Sequence, residues 1–229
     1  SNAPKVMANG YPYTQVPFTS VKMAHNSFWG ARLKAACEVT VPLAFSKCES
    51  EHRYKNFDMA AYTLKHPGHA GLQTPEWDVA KFMGFSFDDT DVYKTIEGAS
   101  YILQTYPDKK LKAYIDSVLN VVGAAQEPDG YLYTARTINP EHPHAWSGKK
   151  RWEKEEDLSH ELYNLGHMVD AACAHYQATG SHKFLDIARR YADCVCREVG
   201  SGSGQATVVP GHQIAEMALA RLYTLTGEK

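Results

Sequence analysis

Two segments of the chain close on the same pattern: Tyr176-Gln177-Ala178-Thr179-Gly180 and, 47 residues later, Tyr223-Thr224-Leu225-Thr226-Gly227. Each ends a stretch of helical periodicity on glycine, which adopts the left-handed backbone that closes a helix without strain. Each is preceded by a Gly-His pair, Gly166-His167 and Gly211-His212. A two-helix repeat of this length is the mark of stacked helical hairpins, either an open solenoid or a closed α/α toroid.

The rest of the chain has the same period. Leu111, Tyr114, Ile115, Val118, Leu119, Val122 and Ala125 form one wide apolar stripe. Val92, Ile96, Ala99 and Leu103 form another, entered through Thr90 as N-cap with Asp91 in the first turn, and Pro107-Asp108 ends it. Further stripes run Leu165, Val169, Ala172, Tyr176; Phe184, Ile187, Tyr191, Val195; and Ile214, Met217, Ala218, Leu222. A weaker helix spans Trp29 to about Lys47, interrupted near Thr40-Val41-Pro42, and residues 56–64 form a short one. No run of alternating strand pattern appears, so the expected class is all-α. The irregular stretches Gln126 to Asp157 and Gly200 to Gly211 fall where a toroid places its functional face.

Composition narrows the function. A chain of 229 residues that is 44% hydrophobic and 22% charged folds rather than staying disordered. A net charge of -2 argues against neutralising nucleic-acid phosphates, and no apolar run approaches the ~20 residues that span a bilayer. Ser1-Asn2-Ala3 reads as the scar of a cleaved expression tag, leaving 4–229 as the domain to explain. The five cysteines, Cys37, Cys48, Cys173, Cys194 and Cys196, form no CxxC pair, and neither a disulfide framework nor a zinc ribbon is expected.

The candidate chemistry gathers in Ser159-His160-Glu161-Leu162-Tyr163-Asn164-Leu165-Gly166-His167. On a helix, His160, Tyr163, Asn164 and His167 share one polar, aromatic face, which suits sugar hydroxyls and a sugar ring. The two histidines stand roughly 10 Å apart along the axis, too far to share an ion. In the plainer reading His160 caps a helix start and His167 is a satisfied core histidine. Pro210-Gly211-His212-Gln213 likewise reads either as a loop that offers His212 to a ligand or as simple helix initiation. Phe87-Asp88-Asp89-Thr90-Asp91 is either a carboxylate group for acid/base glycoside chemistry or a complement to a helix N-terminus. The stretch from His142 to Trp152 mixes aromatics and charge, as a lid or a solvated loop would. Phosphate-binding, dinucleotide and GxSxG signatures are absent.

Taken in order, several of these residues resemble one family. They are Phe28-Trp29 with Arg32, Asp89-Thr90-Asp91-Val92-Tyr93-Lys94, Gln126 with Asp129-Gly130-Tyr131-Leu132, His160 to Tyr163 with Gly166-His167, Ala174 to Gly180, and Gly211-His212 leading to Leu222-Tyr223 and Thr226-Gly227. In this order and spacing the chain resembles the beta-L-arabinofuranosidases of glycoside hydrolase family 127. The resemblance implies helical hairpins of an (α/α)6 barrel, the six-hairpin glycosidase type, followed in the family by β-sandwich domains. It implies a retaining glycosidase acting on L-arabinofuranose-type sugars, with a zinc-bound cysteine as nucleophile and a glutamate as acid/base. His160 and His212 match histidines that bind the sugar, and the pocket extends to Tyr163, His167, Asp89 and Asp91. Two residues beyond His212, where the family commonly carries an acid, this chain has Ile214, while Glu216 matches a second family acid. The zinc ligands, nucleophile and acid/base match no residue here, so no catalytic residue and no metal are expected in this chain.

The periodicity supplies six or seven helices where six hairpins need twelve, so the chain reads as the N-terminal half of the barrel, inactive alone and prone to self-association or a poorly ordered last helix. A carbohydrate is the expected partner, without nucleic acid or membrane, in a periplasmic or secreted setting. Two other functions stay open: a non-catalytic helical solenoid that binds protein or glycan, and another (α/α)6 sugar enzyme, such as an unsaturated-uronyl hydrolase or an epimerase, for which only Asp88, Asp89 and Asp91 are available.

Overall fold

The computed structural model describes residues 12–68 and 81–229; the tag-like Ser1-Asn2-Ala3 lies outside them. The described helices are α1 (Phe28–Ala35), α2 (Val41–Ser50), α3 (Arg53–Lys65), α4 (Asp89–Thr105), α5 (Lys109–Ala124), the single turn α6 (Thr134–Thr137), α7 (Glu161–Thr179), α8 (Lys183–Glu198) and α9 (Ala215–Thr226). Among the described residues there is no strand, only an isolated bridge between Val199 and Ala206.

Local chemistry sets the boundaries. Ser27 caps α1, its hydroxyl accepting from Gly30 N–H at 3.0 Å. The expected interruption near Pro42 is absorbed without a break. Residues Ala36–Thr40 widen into a π turn, and the helix continues from it through Pro42 in the first turn of α2. The short helix expected at 56–64 extends to Arg53–Lys65. Thr90 is not the cap of α4. That position belongs to Asp88, and Asp89 joins Asp91 in the first turn. Asp108 caps α5 with bonds from Lys110 N–H and Leu111 N–H. The sequence repeat is a repeat of structure: Gly180 and Gly227 both have φ of 75°, and their N–H groups bond Tyr176 O and Tyr223 O.

The helices stack in two rows. α4 packs against α2 on one side and α7 on the other, and α7 packs against α9. α3, α5 and α8 form the second row behind them. Chain order alternates between rows, as in the hairpins of an (α/α)6 barrel, so α4, α7 and α9 begin at the same end of the molecule. The core lies between the rows, with Phe57, Tyr93, Ile96, Ile115, Leu119 and Tyr191 fully buried. Of the stripe assigned to α9, Ala218 and Leu222 are buried, but Met217 is 61% exposed, because α9 is covered mainly by α7 and Met217 faces away from it.

Candidate functional site

The two irregular stretches meet above the starts of α4, α7 and α9. Gly211 N–H donates to Glu155 O at 3.2 Å, and Ser86 Oγ to Leu158 O at 2.9 Å. At this junction His160 occupies the cap position of α7 with φ of 62°. A non-glycine residue in that region costs roughly 1–2 kcal/mol, and the surroundings hold it there. Buried Glu155 accepts from Glu161 N–H (2.9 Å) and Leu162 N–H (3.0 Å), capping the helix. Buried Glu161 accepts from Tyr131 OH (2.5 Å) and Trp152 N–H (2.8 Å). Ser159 Oγ stands 3.1 Å from a Glu155 oxygen and 3.0 Å from a Glu161 oxygen. One hydroxyl proton cannot serve both contacts, so a proton on one carboxyl completes the network. Burial and the neighbouring Glu161 push Glu155 up to about 8, and burial raises Glu161 as well, so the pair holds this proton in common.

Around His160 the rings converge. Its Nδ1 lies 2.6 Å from Leu158 O, which can only accept, so Nδ1 carries the proton and Nε2 is left as an acceptor. Its ring lies 5.6 Å from Tyr163 and 5.2 Å from His212, and Tyr163 lies 5.5 Å from His212 and 4.5 Å from His167. Lys94 Nζ donates to Tyr163 OH at 2.7 Å. Burial, and then Lys94, lowers His167 to about 4, so its ring is neutral. His212 reaches this group because α7 and α9 touch at Gly166, where a Cβ would stand 2.5 Å from Ile214 Cγ2 and 2.8 Å from Ala215 N. Any side chain there would push the start of α9 outward, and His212 with it.

The other predicted residues lie elsewhere. Asn164 does not share the polar face. It is buried and donates to Ser86 O, because one residue on from Tyr163 is about 100° round the helix, which turns its amide toward the loop before α4. Asp89 is 2% exposed and accepts from Thr134 N–H (2.9 Å) and Thr134 Oγ1 (2.6 Å), pinning α6 to α4. Asp91 pairs with Arg53 at 2.9 Å and borders a separate cavity of about 240 Å³. Asp88 is held by Arg53 at 3.0 Å and by Phe85 N–H. All three acids are engaged in structure, which leaves a uronyl hydrolase or epimerase reading without its acids. Sequence reasoning missed Phe87, whose ring lies 5.0 Å from His160, and the support given by Glu155.

The family model for the beta-L-arabinofuranosidase GH127 catalytic domain matches residues 20–229. The chain belongs to this family. A non-reducing end beta-L-arabinofuranosidase of Bifidobacterium longum subsp. longum is 40% identical over 149 residues, covering 65% of this chain and 22% of that protein. A solved GH127 beta-arabinofuranosidase is 64% identical, with a TM-score of 0.87 over 97% of this chain and 33% of its own. A GH127 beta-L-arabinofuranosidase from Geobacillus stearothermophilus T6 is 34% identical, with a TM-score of 0.75 over 88% of this chain and 29% of its own. The chain therefore spans between a fifth and a third of the length of these GH127 relatives.

GH127 membership raises the question of zinc. Among the described residues, Asp129, Cys194 and Glu198 bring three ligand-type atoms within 4.8 Å of one another. They do not fit the ion, because a cation already fills the space. Arg151 donates to Asp129 and Glu198 at 2.7 Å and to Glu127 at 2.6 Å. Burial, with the nearby carboxylates, pushes the Cys194 thiol up to about 12, away from the thiolate that zinc binds. Burial also pushes Cys173 to about 12 and raises Cys48.

Proposed function

We propose that this chain forms the sugar-binding wall of a beta-L-arabinofuranosidase, with His160 and His212 taking the hydroxyls of an L-arabinofuranose-type ring. The observation that carries this reading is the convergence of His160, Tyr163 and His212 within 5.6 Å of one another at the common end of α7 and α9. His160 Nε2 is free to accept from a hydroxyl, and neutral His167 and the Lys94-held Tyr163 hydroxyl extend the polar face. The aromatic rings offer a surface for the sugar's C–H groups. Zinc, the cysteine nucleophile and the glutamate acid/base of the family reaction are assigned to no residue of this chain. The same reading extends to assembly, with self-association through the outward face of α9.

Binding of methyl β-L-arabinofuranoside, followed by protein-observed NMR, tests the site. His160→Ala and His212→Ala should each weaken binding about ten-fold or more, the worth of one or two hydrogen bonds. Unchanged affinity in both variants would defeat the proposal. With zinc and an aryl β-L-arabinofuranoside the chain alone should give no turnover; turnover abolished by a substitution within this chain would also defeat it.

A further inference from the structure

A row of aromatic rings leads away from the histidine cluster. Phe87, 5.0 Å from His160, is stacked by Phe85 at 5.4 Å with the ring planes only 6° apart. Trp146 follows at 5.6 Å from Phe85, His144 at 5.8 Å from Trp146, and Phe82 at 5.5 Å from His144. The row ends at a cavity of about 630 Å³ that Phe82 and His144 line together with Lys81, Asn139 and His142. Phe85 leaves 54% of its surface in water, and Trp146 is half-buried.

These rings are fixed in place. Arg136, 6% exposed, donates to the carbonyls of Ser147, Gly148 and Lys150, directly behind Trp146. His144 N–H donates to Ala135 O at 3.0 Å, and Trp146 N–H to His144 Nδ1 at 3.1 Å. On the other side Phe85 N–H donates to Asp88 at 2.7 Å, and Arg53 holds Asp88. A buried arginine therefore organises a loop whose product is an exposed aromatic surface. Core packing does not call for that surface, and solvent opposes it. Preorganised rings continuous with a polar pocket suit a ligand with alternating C–H and hydroxyl faces.

We infer that Phe85 and Trp146 form a second carbohydrate subsite, which takes the sugar ring on the leaving-group side of the bond to be cleaved. The C–H face of that ring lies on Phe85 and Trp146, with the cavity at the far end of the ring row beyond it. The inference rests on the histidine-cluster reading, because the first ring bound there gives the platform its direction.

The test compares methyl β-L-arabinofuranoside with a β-linked arabinofuranosyl disaccharide by calorimetric or NMR titration of the 229-residue chain. The disaccharide should bind about five-fold or more tightly than the monosaccharide, the scale of one good side-chain contact. Phe85→Ala should erase that gain and leave monosaccharide affinity unchanged, which also shows that the variant is folded; Trp146→Phe should reduce the gain in part. Monosaccharide binding with no gain for the disaccharide, or a gain that Phe85→Ala retains, overturns the platform and spares the histidine site. Failure of both sugars to bind overturns the histidine site and the platform with it.

Discussion

His175 sits inside α7 with no exposed surface, and neither of its ring nitrogens has a hydrogen-bond partner among the described residues. Burial lowers it from 6.5 to about 4, so it is carried neutral. The unfolded chain takes up a proton near pH 6.5 that the folded chain refuses until about 4. The stability it contributes is therefore present above pH 6.5 and lost as pH falls through about 4. His175→Leu, similar in volume and without an orphaned polar group, should match or exceed the native stability at pH 7. Its advantage should then grow by about 3 kcal/mol as pH drops from 6.5 to 4. Glu155 runs the other way: raised from 4.5 to about 8, it contributes stability below pH 4.5 that is lost as pH rises through 8. Glu155→Gln, which does not titrate, should lose less stability than the native protein over that range. Urea unfolding across pH checks both variants, and parallel curves for variant and native protein would refute the assignments. Neither residue announced itself in the sequence, since what sets them apart is the number of partners that the fold leaves each one.

At the scale of elements, the helices were legible because their apolar stripes record which face is covered, and the Tyr-to-Gly closures record where α7 and α9 stop. The π turn at Ala36–Thr40 was not, because a widened turn keeps nearly the same residue pattern as a broken helix. Tyr163 and His167 were placed together correctly by their spacing on α7. Asn164 was not, because it stands about 100° round α7 from Tyr163, where Ser86 O takes its amide inside the core. Asp89 and Asp91 were read as pocket residues, but α6 and Arg53 engage them, and those contacts join segments far apart in the chain. Arg151 plays a similar part between the 126–157 stretch and α8. It bridges Glu127, Asp129 and Glu198, and its guanidinium lies 3.9 Å from the Tyr131 ring centre. Removing it takes the shared cation from three carboxylates that water partly screens, so Arg151→Ala should cost about 1–2 kcal/mol. The vacated space would leave Asp129, Cys194 and Glu198 arranged for an ion. Zinc should then raise the melting temperature of Arg151→Ala and leave the native protein unmoved, as scanning calorimetry with and without the metal will show. An equal zinc response in the two proteins would mean that the guanidinium does not occupy the site.

For the whole molecule, helices within one row differ in how completely they are covered. α7 is enclosed by α4, α8 and α9, whereas α9 rests mainly on α7. Met217, on the outward side of α9, and Val209, in the loop before it, are each 61% exposed. A single exposed methionine is ordinary on a protein surface. Here it lies on the face of α9 turned away from α7, the face proposed above for self-association. A second copy that offers its own α9 would cover the same stripe, and a two-fold arrangement satisfies both faces at once. Sedimentation velocity should therefore show concentration-dependent dimerisation. Met217→Glu should shift the equilibrium to monomer without lowering the melting temperature, because the side chain contributes little to the core of its own chain. A native protein that remains monomeric at the highest attainable concentration would show that α9 needs no such partner. A dimer that tolerates Met217→Glu would move the contact to another surface, with exposed Phe28 and Trp29 on α1 the next positions to substitute.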